Sequence, residues 1–179
     1  RTPAKVGLVQ RDRRRHAHQR QRNRVNAAFG LGLLADPNTP PSYLTRVIQN
    51  EAFSDGLRGG AAWSLYKIQE AAAEKAPFAA AWQTILDQPL ESTNANVSVS
   101  AIRGLGQRRR EADADIIKRY VSHPVPKVRQ AAAVALGRLG VRSTHEALLA
   151  LIGPAEDNPN VRLTARKALQ ELSGGIDRG

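Results

Sequence analysis

VRQAAAVALGRLG, Val128 to Gly140, repeats itself along the chain. Val161 to Gly174 reads VRLTARKALQELSG, and aligning Leu136 with Leu169 also matches Val128 with Val161, Arg129 with Arg162 and Ala132 with Ala165. The same frame lies upstream in Val97–Gly106 (VSVSAIRGLG), Leu57–Ile68 (LRGGAAWSLYKI) and Asn23–Leu34 (NRVNAAFGLGLL). The anchor leucines are Leu31, Leu65, Leu105, Leu136 and Leu169, with intervals of 34, 40, 31 and 33 residues. Intervals of this size belong to stacked helix pairs, in which each unit buries its apolar face against the next. Within 128–140, Val128, Ala131, Ala132, Ala135, Leu136 and Leu139 recur at helical intervals on one face.

A second, preceding helix is expected ahead of each of the last four units: Ser42–Asn50, Pro77–Asp87, Asp113–Val121 and Thr144–Ile152. Pro126 and Pro159 open two of the anchor helices, where a missing N–H costs least. Turns at Asp36–Pro41, His123-Pro124 and Gly153-Pro154 separate the helices. No segment alternates with period two, so the expected fold is all-α, a solenoid of about five helix pairs. It divides into a basic N-terminal arm or helix over 1–22, the repeats over 23–174 and a tail over 175–179.

The pattern V-R-x-A-A-x-x-A-L-G-x-L-G resembles the HEAT repeat, in particular the short bacterial form associated with phycobilisome lyases. Residues 128–140 match closely, and 161–174 match with Gln170 in place of the small residue Gly137. The resemblance spans roughly residues 23–174 and speaks to architecture more than to activity. It implies an extended concave surface lined by the second helix of each pair. Relatives of this kind include scaffolds, adaptors, lyase subunits and alkylation-repair glycosylases.

Composition narrows the chemistry. The chain has 179 residues, 41% hydrophobic but only 4% aromatic, so its core is made of Ala, Leu, Val and Ile. Without cysteine there are no disulfides, thiolate zinc sites or thiol nucleophiles. No apolar run approaches the ~20 residues of a membrane helix. With no methionine and a start at Arg1, a signal peptide or a longer N-terminal region is expected ahead of this sequence. The cytoplasm is the favoured compartment, with a processed secreted or periplasmic protein as the alternative. No phosphate loop, nucleophile elbow or metal-ligand spacing is present, so the expectation is a non-enzymatic protein without cofactor.

The net charge of +11 is concentrated at one end. Residues 1–24 hold nine Arg or Lys and a single acid, a net +8, and the remainder carries +3. Arg11, Arg13, Arg14, Arg15, Arg20, Arg22 and Arg24 are therefore candidates for contact with a polyanion or an acidic partner. Nucleic acid, anionic lipid and an acidic protein surface all fit such charge, and a solvated helix face is the bland alternative. No aromatic interleaves the arm, so base stacking is not indicated. Arg103 and the run Arg108-Arg109-Arg110 form a second basic group, although cations at a helix C-terminus also complement its dipole. Glu111, Asp113 and Asp115 are read as acids at a helix start serving the same dipole.

Arg24, Arg58, Arg129 and Arg162 each precede an anchor leucine by seven residues, with Ser98 breaking the column. The resemblance implies a structural role, bonding acids or carbonyls in the inter-repeat loops with Asp55 and Asp157 as partners, and a basic stripe for an acidic ligand is the alternative. Trp63 shares a column with Phe29, Arg103, Val134 and Lys167 that would face the concave side, and Trp63, Lys67, Arg138 and Lys167 are candidate contacts there. The resemblance to alkylation-repair glycosylases would cast Trp63, Trp82 and Asp87 as a lesion grip, but core or interface packing is the expected role of the tryptophans. His16 and His18 diverge on a helix and make a poor metal pair, while His123 and His145 are expected at the surface.

The leading expectation is a scaffold or adaptor binding a protein partner within a larger assembly. A nucleic-acid-binding HEAT protein and a lyase or modifying-enzyme subunit are the alternatives. The pattern specifies no oligomeric state.

Overall fold

In the computed structural model, which describes residues 3–87 and 94–176, with side chains over 13–87 and 94–173, helices make up nearly all of the regular structure. Five longer helices carry the anchor leucines: α1 (Pro3–Leu34), α3 (Asp55–Ala71), α5 (Ala95–Gln107), α7 (Pro126–Leu139) and α9 (Pro159–Ile176). Four shorter ones alternate with them: α2 (Pro41–Gln49), α4 (Pro77–Leu86), α6 (Ala114–Lys118) and α8 (His145–Ala150). Each longer helix packs on the next, α1 on α3 and so on to α9, and each shorter helix packs on the longer one that follows it. The result is two layers of stacked helix pairs, an all-α solenoid with no strand among the described residues.

Small residues set the spacing of the longer-helix layer. A Cβ placed on Gly106 would lie 2.8 Å from Ala135 Cβ, and one on Gly137 would lie 2.7 Å from Ala168 Cβ. Gly32 meets Trp63 and Ser64 in the same way. These glycines each follow an anchor leucine, and Ser64, Ala135 and Ala168 each precede one. Close backbone approach therefore recurs at one register of the repeat. Gln170 occupies this register in α9, beyond which no described helix packs, so it needs no glycine and is exposed.

Anchors Leu65, Leu105 and Leu136 are fully buried, together with Ala61, Ala101, Ala132 and Ala165. Local chemistry ends the helices. Ser54 Oγ accepts from Leu57 N ahead of α3, Asn94 Oδ1 accepts from Asn96 N ahead of α5, and Gly140 closes α7 with φ 68°.

Three expectations need correction. The third and fourth short helices are briefer than the apolar pattern suggested, because Glu111–Asp113 and Arg142–Thr144 wind as 3-10 turns and Tyr120 and Leu151 lie in turns. His123 is 3% exposed rather than at the surface. It stacks on Tyr120 with ring centroids 6.2 Å apart, and its Nδ1 accepts the Val125 N–H at 3.1 Å. Asp113 is buried, where a solvated acid at a helix start was expected.

Candidate docking surface

Along each longer helix, one stripe at intervals of three to four residues stays open to solvent. On α7 it comprises Lys127, Gln130, Val134 and Arg138, and on α5 it comprises Asn96, Val99, Arg103 and Gln107. Asn160, Leu163, Lys167 and Glu171 continue it on α9, and Trp63, Lys67 and Glu70 carry it onto α3. On α1 it passes through Arg22, Phe29 and Leu33. Cross-helix contacts knit these stripes into one surface. Lys127 Nζ donates to Asn96 Oδ1 at 2.8 Å, Gln130 Nε2 to Thr164 Oγ1 at 3.1 Å and Gln107 Nε2 to Glu70 Oε1 at 3.3 Å.

The surface is basic toward its C-terminal half. Arg103, Arg138 and Lys167 are exposed and hold no ion pair among the described residues. Lys127, which the sequence reading passed over, joins them; its place seven residues before Val134 was the available signal. Lys67, in contrast, is ion-paired with Glu70. That hydrogen bond holds the Glu70 carboxyl below the usual carboxylate range, with smaller contributions from Tyr66 and Arg138, and raises the Lys67 ammonium. Trp63 is half-buried, its ring tilted 49° against Phe29 at a centroid distance of 5.4 Å, so it joins α1 to α3. Trp82 is fully buried, its indole N–H donating to Gln69 Oε1 while Gln69 Nε2 donates to Gly104 O at 2.7 Å. It cannot grip a ligand from there.

The basic arm is continuous with the first repeat, since α1 runs unbroken from Pro3 to Leu34. The 34-residue offset between Leu31 and Leu65 sets Gln21 opposite Asp55, the first residue of α3. About 18 residues of α1, roughly 27 Å of helix, thus extend beyond the neighbouring helix. Arg13, Arg14, Arg15, Arg20, Arg22 and Arg24 are all exposed. Arg11 lies on the same helix, with its side chain outside the described residues.

Arg108 leaves the polyanion-binding group. Its side chain is 4% exposed and lies 3.3 Å from Asp113 Oδ2. Its Nη1 donates to Asp113 Oδ1 at 3.4 Å, while Oδ2 accepts no hydrogen bond. Burial raises the Asp113 carboxyl, and Arg108 and Arg110 only partly offset this. Arg109 and Arg110 are exposed.

The arginine column is structural in three of its members. Arg58 Nε donates to Ile48 O at 2.7 Å, and its Nη1 lies 4.0 Å from Asp55. Arg129 grips Glu156 through two 2.7 Å bonds, reaches Asp157 at 3.1 Å and donates to His123 O and Pro124 O. Arg162 donates to Glu156 O. Where Ser98 interrupts the column, Arg119 Nη2 and Tyr120 Oη donate to Leu86 O from the following repeat, at 3.3 and 3.2 Å.

A family model for HEAT repeats matches residues 83–173, half of the chain. The chain belongs to the HEAT-repeat family. No curated protein matches it. Proteins of this family serve in general as scaffolds for protein–protein interaction, and no described helix here is long and apolar enough to cross a membrane. The matched residues contain the last two repeats and the close α5–α7 and α7–α9 interfaces, so the family assignment and the basic half of the open surface coincide.

Proposed function

We propose that this HEAT protein is a non-enzymatic scaffold whose open longer-helix face, the concave side in solenoids of its kind, holds an acidic segment of a protein partner. One observation carries the reading: Arg103, Lys127, Arg138 and Lys167 stand exposed across three adjacent helices, and the acids on this stripe among the described residues are Glu171 and the already paired Glu70. Such a field speeds encounter and excludes basic partners. Apolar neighbours Val99, Val134 and Leu163 supply area for burial between the charges. The arginines of α1 extend the field beyond the stacked repeats and would engage a further acidic surface in the same assembly.

The test is affinity capture with the immobilised full chain, followed by identification of the retained protein and rebinding of that protein in pure form. A variant carrying Arg103→Glu, Arg138→Glu and Lys167→Glu should lose it. Rebinding unchanged by the triple reversal would reject the surface. Removal of residues 1–16 tests the arm separately. Retention abolished by nuclease would give the face to nucleic acid, whose binding also falls steeply with salt.

A further inference from the structure

Three repeats share a device that the first repeat leaves without its partner. Arg58, Arg129 and Arg162 each donate to carbonyls on the stretch that leads from the shorter helix into their own: Ile48 O in the last turn of α2, His123 O and Pro124 O in the loop five and six residues past α6, and Glu156 O in the loop six residues past α8. Ile48 O lies in the last turn of α2, where carbonyls lack in-helix donors and carry the negative end of the dipole, and the loop carbonyls have no helix partner either, so a fixed guanidinium suits them. Arg24 holds the same place in repeat one, seven residues before Leu31. Because α1 runs back as one helix to Pro3, no described segment turns to supply the shorter helix. Arg24 is exposed, with no hydrogen bond or ion pair among the described residues.

The space for that helix is open. A groove of about 380 Å³ runs beside α1, walled by Ala27 and Leu31 of α1, Tyr43 and Val47 of α2 and Leu57 of α3. Tyr43 is 60% exposed there. The groove shares Arg24, Phe53 and Leu57 with a second hollow of about 440 Å³, which continues along α1 to Arg20 and Ala17. From Ala17 to Leu31 the wall is about 21 Å long, enough for a helix of roughly 14 residues. By the repeat translation this is the position α2 holds beside α3.

We propose that the groove receives an amphipathic helix of a partner protein, antiparallel to α1, with its apolar face on Leu31, Tyr43 and Val47 and an acidic C-terminal end at Arg20 and Arg24. The α2 helix, which leads into α3 through a short loop and ends its last turn at Arg58, fixes the direction. The acidic end follows from two arginines at the mouth, which carbonyls alone would leave partly unneutralised. A second copy's α1 is a poor occupant, because residues 1–24 carry a net +8 and would set arginine against arginine. The site uses different residues from the open face and stands independently of it.

The probe is a fluorescein-labelled peptide spanning Thr39–Glu51, stapled between Ser42 and Arg46, which are exposed in α2. This is the chain's own shorter helix, whose last turn Arg58 receives. Fluorescence anisotropy with the full chain should show saturable binding, weakened about tenfold by Arg24→Glu or Ala27→Glu. Both positions are exposed, so both variants should keep the parent melting temperature. A peptide carrying Glu51→Lys should recover affinity for the Arg24→Glu chain. The triple reversal on the open face should leave peptide binding unchanged, which separates failure of one site from failure of the other. Absence of saturable binding, or binding indifferent to both Arg24→Glu and Ala27→Glu, would overturn the proposal. So would self-association of the chain that Ala27→Glu abolishes, since the occupant would then be a second copy.

Discussion

Glu156 receives Nε and Nη2 of Arg129 on its two carboxylate oxygens, each at 2.7 Å, across 27 residues of sequence. The same Glu156 accepts Asn158 N on Oε1 and Arg162 on its backbone carbonyl. One loop acid thus ties α7 to α9, and its side chain is only 3% exposed. Glu156→Ala should cost about 2–3 kcal/mol, because it leaves a nearly buried guanidinium without its bidentate partner. In a solenoid the loss should be local. Hydrogen exchange should show α9 losing protection first, and a double-mutant cycle with Arg129→Ala should show strong coupling.

The same pair sets an acid limit on stability. The Arg129 hydrogen bonds hold the Glu156 carboxyl below the usual range, with the Asn158 N–H helping. A depressed acid contributes stability that is present above its unfolded value, ~4.3, and lost as pH falls through the folded one. The melting temperature of the parent should therefore fall below about pH 4, and Glu156→Gln should flatten that limb. An unchanged limb in the Gln variant would place the acid sensitivity elsewhere.

His123 should add a second limb nearer neutrality. Burial, first among its causes, lowers the imidazole, and Arg129 adds to this against the Val125 bond. A histidine lowered in the fold stabilises above its unfolded value of ~6.5, and the contribution is lost as pH falls through the folded one. Protonation at Nδ1 also removes the acceptor for Val125 N–H. His123→Asn, which keeps an acceptor without titrating, should reduce the change in melting temperature between pH 7.5 and 5.5.

The contrast between Leu136 and Glu156 shows what was legible. Anchor leucines, alternating short helices and close-packed glycines follow from spacings within a single repeat, and local periodicity reports them directly. The open-face residues Arg103, Arg138 and Lys167 follow from the same register. Glu156 was missed because its partner is 27 residues away and it sits in a loop without periodicity. His123 was read as a surface residue because His-Pro marks a turn, yet Tyr120 and the Arg129 grip cover that turn. Arg108 and Asp113 look like surface charges in a run of charges, and only the fold reveals that the turn between α5 and α6 folds them inward.

That buried pair has the opposite pH signature. Asp113 is raised by burial despite Arg108, so its folded state favours the protonated carboxyl; this contribution is present below its unfolded value and lost as pH rises through the folded one. Arg108→Met removes the ion-pair partner that Asp113 has among the described residues and strands a carboxylate at 1% side-chain exposure. The variant should lose about 2–3 kcal/mol at pH 7. The loss should shrink at pH 4, where Asp113 takes up a proton. Equal losses at both values would show that Arg108 acts through packing alone.

The close interfaces make the last prediction. Replacing a helical glycine with alanine ordinarily gains about 1 kcal/mol from backbone entropy. At Gly137 the new Cβ would stand 2.7 Å from Ala168 Cβ and 3.0 Å from its Cα, and at Gly106 it would stand 2.9 Å from Ala135 Cα. The second atom in each pair is backbone, so a whole helix must move to make room, and overpacking of this kind costs about 1–3 kcal/mol. Gly137→Ala should therefore destabilise in spite of its better helix propensity. Gly137→Ala combined with Ala168→Gly should recover most of the loss, since the methyl group merely crosses the interface. Gly30→Ala, with nothing within 4 Å of its added Cβ, should stabilise instead. Chemical denaturation of the three variants checks the sign in each case, and a stabilising Gly137→Ala would mean that α7 and α9 are not held at this distance.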